Sequence, residues 1–162
     1  MKRQILLLIT LLITVIYFLC KPTALSDTDT SPPRSRITKV VQLANSYLNT
    51  PYKAGGTSAR GFDCSGLIYR CFQREGIELP RSSKAMSSAG TLVQRMDIKV
   101  GDLVFFTIRR LGNAINHVGI VSTTNNGDVQ FIHSSTKNGV CVNSLNEPYW
   151  NNNFVIAKRI TP

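Results

Sequence analysis

Gly61-Phe62-Asp63-Cys64-Ser65-Gly66-Leu67 sets a thiol between a carboxylate and a hydroxyl, with glycines on both sides. The apolar residues Leu67, Ile68, Cys71 and Phe72 recur at helical spacing, and aspartate is a good N-cap. The stretch therefore predicts a helix whose first turn holds Cys64. A thiol there faces the positive end of the helix dipole and unpaired backbone amides, both of which favour the thiolate. A lowered thiol pKa is the first requirement of a cysteine nucleophile. A small buried apolar residue is the commoner fate of a free cysteine, and these seven residues alone leave both readings open.

Toward the N-terminus, Lys53-Ala54-Gly55-Gly56-Thr57 is a flexible connection with Tyr52 just ahead of it, and Pro51 ends whatever precedes. Ile37, Val40, Val41, Ala44, Tyr47 and Leu48 follow an i, i+3, i+4, i+7 pattern and predict a first helix. Residues 21–36 are rich in Ser, Thr, Asp, Pro and Arg without apolar periodicity. Residues 27–36 therefore read as a linker and 37–162 as the folded domain. Lys2 and Arg3 precede an apolar run from Ile5 to Cys20, the layout of a secretory signal and short for a membrane span. Residues 1–26 are expected to export the chain to the periplasm or cell envelope. Three exits stay open: cleavage after Ser26 at Ala24-Leu25-Ser26, a lipidated Cys20, or an uncleaved membrane tether.

Removing residues 1–26 takes Lys2, Arg3 and Lys21 from the 19 basic residues, leaving 16 against 9 acidic and a formal charge of +7. Such a surplus suits an anionic partner. No cluster of basic and aromatic residues points to nucleic acid, whereas carboxylate-bearing peptides of a cell wall fit an exported domain. Four cysteines do not make a disulfide scaffold. Cys64 and Cys71 lie too far apart along one helix to bridge. Cys71 and Cys141 are expected as two separate core thiols, with a bridge between them left open.

Toward the C-terminus, the Cys64 helix should stop at Gly76, and Ser82 or Ser83 should cap a short helix that Gly90 ends. The pattern then turns to strands: Leu103 to Phe106, His117 to Val121, Val129 to His133, Gly139 to Val142 and Phe154 to Ile160. Asn125-Asn126-Gly127-Asp128 is a turn, and Ile108 to Asn116 is a polar, basic loop carrying Arg109 and Arg110. Helices followed by an antiparallel meander mean α+β, with N-terminal helices packed on a central antiparallel sheet.

The chain has only two histidines, both in the strand half. His117 shares a strand face with Gly119 and Val121, and His133 with Val129 and Phe131. Neighbouring strands would let the two imidazoles meet. A helix packing its N-terminus on that sheet would bring Cys64 to His117, with His133 orienting the base. Cys64, His117 and His133 could instead ligate zinc, but no ligands are paired at short spacing, so no metal is expected.

Six motifs occur in order: Pro51-Tyr52-x-x-Gly-Gly, Phe62-Asp63-Cys64-Ser65-Gly66-Leu67, Leu79-Pro80-Arg81-Ser82-Ser83, Gly101-Asp102-Leu103-Val104-Phe105-Phe106, His117-Val118-Gly119-Ile120 and Phe131-Ile132-His133-Ser134-Ser135. The series resembles the NlpC family of papain-like bacterial cell-wall cysteine peptidases over residues 37 to 161. Ser144-Leu145-Asn146-Glu147-Pro148-Tyr149-Trp150 is similar to the Spr-type murein endopeptidases within it. The resemblance implies a catalytic Cys64, His117 and His133, with Tyr52 and the Cys64 backbone N–H stabilising the oxyanion. It also implies that Asp63, Ser65 and Arg81 line the substrate groove, and that no cofactor is needed. Met86 departs from the pattern, standing where relatives carry glutamine, and the Ile108–Asn116 loop is longer than in the Spr-type pattern. The function implied is a murein endopeptidase, expected as a monomer, that cuts peptidoglycan stem or cross-link peptides through a thioester. A non-catalytic wall-binding module and an acyltransferase on the same scaffold are the rivals.

Overall fold

The structure, a computed structural model, describes residues 33–161. The expectations placed on residues 1–26, Cys20 included, lie outside the described residues. Helix α1 spans Pro33–Ser46, so it begins inside the stretch read as linker. Proline is well placed there, because its missing N–H belongs to the first turn, where helical amides have no partner anyway. Val40 and Ala44 are fully buried, and Ile37, Val41, Tyr47 and Leu48 pack beside them, the face that the periodicity predicts.

Two short strands, β1 (Thr57–Ser58) and β2 (Gly61–Phe62), pair antiparallel and lead into helix α2 (Cys64–Arg74). Asp63 caps α2, its carboxylate accepting the Gly66 N–H at 2.6 Å. The helix ends at Glu75 and Gly76, the latter left-handed with φ +67°, and Ile77 N–H closes the end on the Phe72 carbonyl at 3.0 Å. Leu67, Ile68, Cys71 and Phe72 are wholly buried. Helix α3 (Ser83–Met86) is capped by the Ser82 hydroxyl. Met86, which departs from the glutamine of the family pattern, is fully buried in the core.

Strands β3 (Thr91–Val93), β4 (Leu103–Phe106), β5 (His117–Asn125), β6 (Asp128–Ser135), β7 (Gly139–Ser144) and β8 (Phe154–Arg159) form one antiparallel sheet, in the order β3-β8-β4-β5-β6-β7. Four consecutive strands make the expected meander, and the last strand returns beyond β4. Helix α4 (Pro148–Asn153) precedes β8. An ion pair between partly exposed Arg159 and buried Asp102 anchors the return: Arg159 grips both oxygens of Asp102 at 2.8 Å.

The sheet is covered on both faces, and this arranges the site. Leu103, Phe105, Val118, Ile120, Ile132 and Val140 face α1 and α2. The alternating residues Val104, Phe106, Val121 and Phe131 face the other way, onto Trp150 and Leu145. Cys71 belongs to the helix side, while Cys141 lies opposite His133 across β6 and β7 and is half-buried. The two thiols are free and sit on opposite sides of the sheet, so Cys141 is not the core thiol expected.

Candidate active site

Tyr52 is placed by backbone pairing with β2: Phe62 N–H donates to the Pro51 carbonyl at 3.2 Å, and Lys53 N–H to the Phe62 carbonyl at 3.0 Å. The Ser134 hydroxyl donates to that same Phe62 carbonyl at 2.8 Å, tying β6 to the residue two before Cys64. Gly66 must lack a side chain, because a Cβ would run into the Gly56 carbonyl oxygen. Residues 52–66 therefore form one folded unit, which explains the glycines of two of the motifs.

The histidines meet as the strand pattern predicts. His117 Nε2 lies 2.9 Å from His133 Nδ1, both rings being buried. Gly119 leaves room beside His133: a Cβ there would strike the Phe131 ring and crowd His133 Cβ. Trp150 covers the pair, stacked on His117 with centroids 5.3 Å apart and set edge-on to His133 at 4.6 Å. Burial in this aromatic box lowers both imidazoles, His117 to about 3 and His133 to about 4, so both rings are neutral at ordinary pH.

Helix α2 packs on the face opposite the histidines, contrary to the simplest expectation. Its N-terminus instead meets the beginning of β5, where the Cys64 thiol donates to the Asn116 carbonyl at 3.9 Å and also meets the Val118 N–H. Cys64 and His117 thus share one cavity of about 400 Å³, which Tyr52 also lines. Asn116 is a residue that sequence reasoning passed over. Its side chain closes the Ile108–Asn116 loop by bonding the Ile108 N–H at 2.9 Å and carbonyl at 3.0 Å, while its own carbonyl meets the thiol. Arg110 and Leu111 of that loop reach the cavity, as does Lys137 beyond β6.

The thiol is not the pre-formed thiolate expected of a helix start. Burial pushes the Cys64 pKa up and the Asp63 charge adds to this, outweighing the amides of Val118, Ser65 and Cys64. Tyr52 is raised for the same leading reason, burial, with the charges of Cys64 and Asp63 beside it, so its phenol keeps a proton to donate. Asp63, Ser65 and Arg81 are engaged with one another rather than turned as a set into the cavity. Arg81 holds the Asp63 oxygens at 3.0 and 2.7 Å and the Ser65 hydroxyl at 2.9 Å. Although burial opposes it, the Arg81 and Gly66 hydrogen bonds bring the Asp63 carboxyl below its ordinary value.

Cys141 supplies a second thiol, 3.5 Å from His133 Nε2, so His117, His133 and Cys141 are also contiguous. The two ring nitrogens that face each other are spent on one another, which leaves little for a metal. Among the described residues no three His, Cys, Asp or Glu side chains are grouped to hold one.

A model of the NlpC/P60 family matches residues 49–159. The chain belongs to that family. With the family stands the α+β fold expected of the chain, N-terminal helices packed on an antiparallel sheet. Murein DD-endopeptidase MepS/Murein LD-carboxypeptidase of Escherichia coli is 42% identical over 110 residues, covering 67% of this chain and 55% of the relative. The chain thus spans about half the length of MepS. Probable endopeptidase NlpC of Escherichia coli is 39% identical over 137 residues, covering 80% and 86% of the two chains. Among solved structures, an NlpC/P60 family protein from Bacillus cereus superposes with a TM-score of 0.69 at 30% identity, covering 78% of this chain and 40% of that one. The peptidoglycan hydrolase RipB of Mycobacterium tuberculosis gives 0.66 at 28% identity, covering 88% and 73%.

Proposed function

We propose that this chain is an exported murein endopeptidase that hydrolyses amide bonds in peptidoglycan stem or cross-link peptides. Cys64 is its nucleophile, His117 its base and His133 the orienting group. The observation that carries the reading is the meeting of a helix-start thiol and a buried imidazole pair in one cavity with a phenol. Because thiol and imidazole are both neutral at rest, the proton leaves Cys64 for His117 as sulfur attacks the carbonyl carbon. The oxyanion is met by the Tyr52 hydroxyl and the Cys64 N–H. Collapse breaks the C–N bond, the amine departing with the proton from His117. Water, giving a proton to His117, then adds to the thioester; collapse breaks the C–S bond and frees the acid, and His117 returns that proton to the Cys64 sulfur. Arg110 and Lys137 at the cavity suit a carboxylate-bearing peptide, and murein relatives imply a place outside the cytoplasm.

Digestion of defined muropeptides by the full chain, read by mass spectrometry, tests this. Hydrolysed products that vanish in a folded Cys64→Ala variant are expected, unaffected by chelators. Wall binding without release would favour a binding module, and products joined to an added amine an acyltransferase. The contact between Cys141 and His133 raises a second nucleophile. His133 Nε2 already holds Asn143 Oδ1 at 2.8 Å, and Cys141 starts no helix, so Cys141→Ser is expected to retain activity.

A further inference from the structure

The orienting histidine is itself held by a chain of two side chains. His133 Nε2 meets Asn143 Oδ1 at 2.8 Å, and Asn143 Nδ2 donates to the two oxygens of Glu147 at 3.0 and 2.9 Å. Glu147 occupies the N-cap position of α4 but its side chain makes no cap there. It turns back instead, Oε1 accepting the Ser144 backbone N–H at 2.8 Å. A backbone N–H can only donate, so that carboxylate oxygen is an acceptor and the Asn143 group facing it is the NH2. The Asn143 oxygen therefore faces His133 and accepts a hydrogen bond from its Nε2–H. In a neutral ring this leaves a lone pair on His133 Nδ1. The atom 2.9 Å away, His117 Nε2, must then carry the hydrogen, and the lone pair of His117 falls on Nδ1.

We propose that Glu147 and Asn143 are positioning residues that, through His133, hold His117 in the Nε2–H tautomer and so present Nδ1 as the base for the Cys64 thiol. The role of Cys64 in this rests on the peptidase reading above. The same helix that supplies Glu147 supplies Trp150, so α4 both sets the tautomer and keeps water from the rings. With the opposite tautomer His117 would present an N–H to the thiol and could take no proton from it.

The test uses Asn143→Leu, Glu147→Leu and a reversed pair, Asn143→Asp with Glu147→Gln, in the full chain. The reversed pair keeps an oxygen toward His133 and an amide–carboxylate contact with donor and acceptor exchanged, while the new amide oxygen still accepts from Ser144. Two readouts need no wall peptide: histidine side-chain nitrogen-15 shifts, which report the tautomer, and the neutral-pH rate of iodoacetamide alkylation mapped to Cys64. Wild type and the reversed pair are expected to hold His117 protonated on Nε2. The leucine variants should lose that preference and slow alkylation about tenfold, the weight of one hydrogen bond. A wild-type His117 protonated on Nδ1 would overturn the proposal. So would leucine variants with an unmoved tautomer, whatever their alkylation rate, or a reversed pair that does not restore both readouts. Should the leucine variants not fold, the wild-type tautomer and the reversed pair still decide it. If all of this holds and no muropeptide is cut, the peptidase reading fails alone.

Discussion

Acid should destabilise this protein well before its carboxylates titrate. The ordinary histidine value is 6.5, and burial takes His117 to about 3 and His133 to about 4 in the folded chain. Below pH 6.5 the unfolded chain therefore binds up to two protons that the folded chain refuses, and stability falls as pH falls. The effect fades within about one pH unit above 6.5 and grows below it toward about 1.4 kcal/mol per pH unit for each ring. For the two rings together this is about 3 kcal/mol lost by pH 5.5 and about 5 kcal/mol by pH 4.5. Losses of that size rival the whole stability of a small domain. Asp63, whose pKa is lowered from 3.8, adds its own loss mainly below that window. Urea unfolding from pH 7.5 to 4.5 measures the slope, and His133→Gln should roughly halve it. A flat profile across the window would show that the rings are as accessible folded as unfolded, and would refute the aromatic box.

Other outcomes follow from the same geometry. On the proposed mechanism Tyr52→Phe removes one oxyanion donor and should lower kcat about 100-fold with little change in KM, read by steady-state muropeptide hydrolysis. Cys64 alkylation should rise with pH to a midpoint above the ordinary thiol value, because burial raises that thiol; a thiolate persisting at neutral pH would contradict this. Arg81→Met leaves the Asp63 charge bare beside the thiol and should move that midpoint further up. Asp102→Ala strands Arg159 and frees the Lys99 N–H, and should cost about 2 kcal/mol, discounted for the partial exposure of Arg159, in thermal or urea unfolding.

Much of the site was legible because it obeys periodic rules. The Asp63 cap and the run Leu67 to Phe72 announce α2, and alternation along 117–121 and 129–133 puts the two imidazoles on one face. What escaped depends on tertiary contact. Thr91–Val93 is a short strand with two exposed residues, recognisable only by its pairing with β8. Asn116 acts through its backbone carbonyl, which no side-chain pattern marks. Trp150 and Asn143 matter because of what they touch, though the four-residue spacing from Asn143 to Glu147 across a turn into Pro148 was a usable clue. The raised thiol pKa lies beyond a local sequence because desolvation is invisible there, whereas the helix dipole is not.

The sheet that separates α2 from the histidines gives the two halves of the chemistry separate foundations. Sulfur is anchored by one layer, imidazole by the other, and the two come together only at the cavity they both line. A substitution under Trp150 can thus retune proton affinity while the nucleophile stays where it was, and one beneath Ile68 can do the reverse. Lineages exploring new substrates on such a frame can alter acid–base behaviour and attack geometry one at a time, a freedom denied to sites whose parts share a single packed layer.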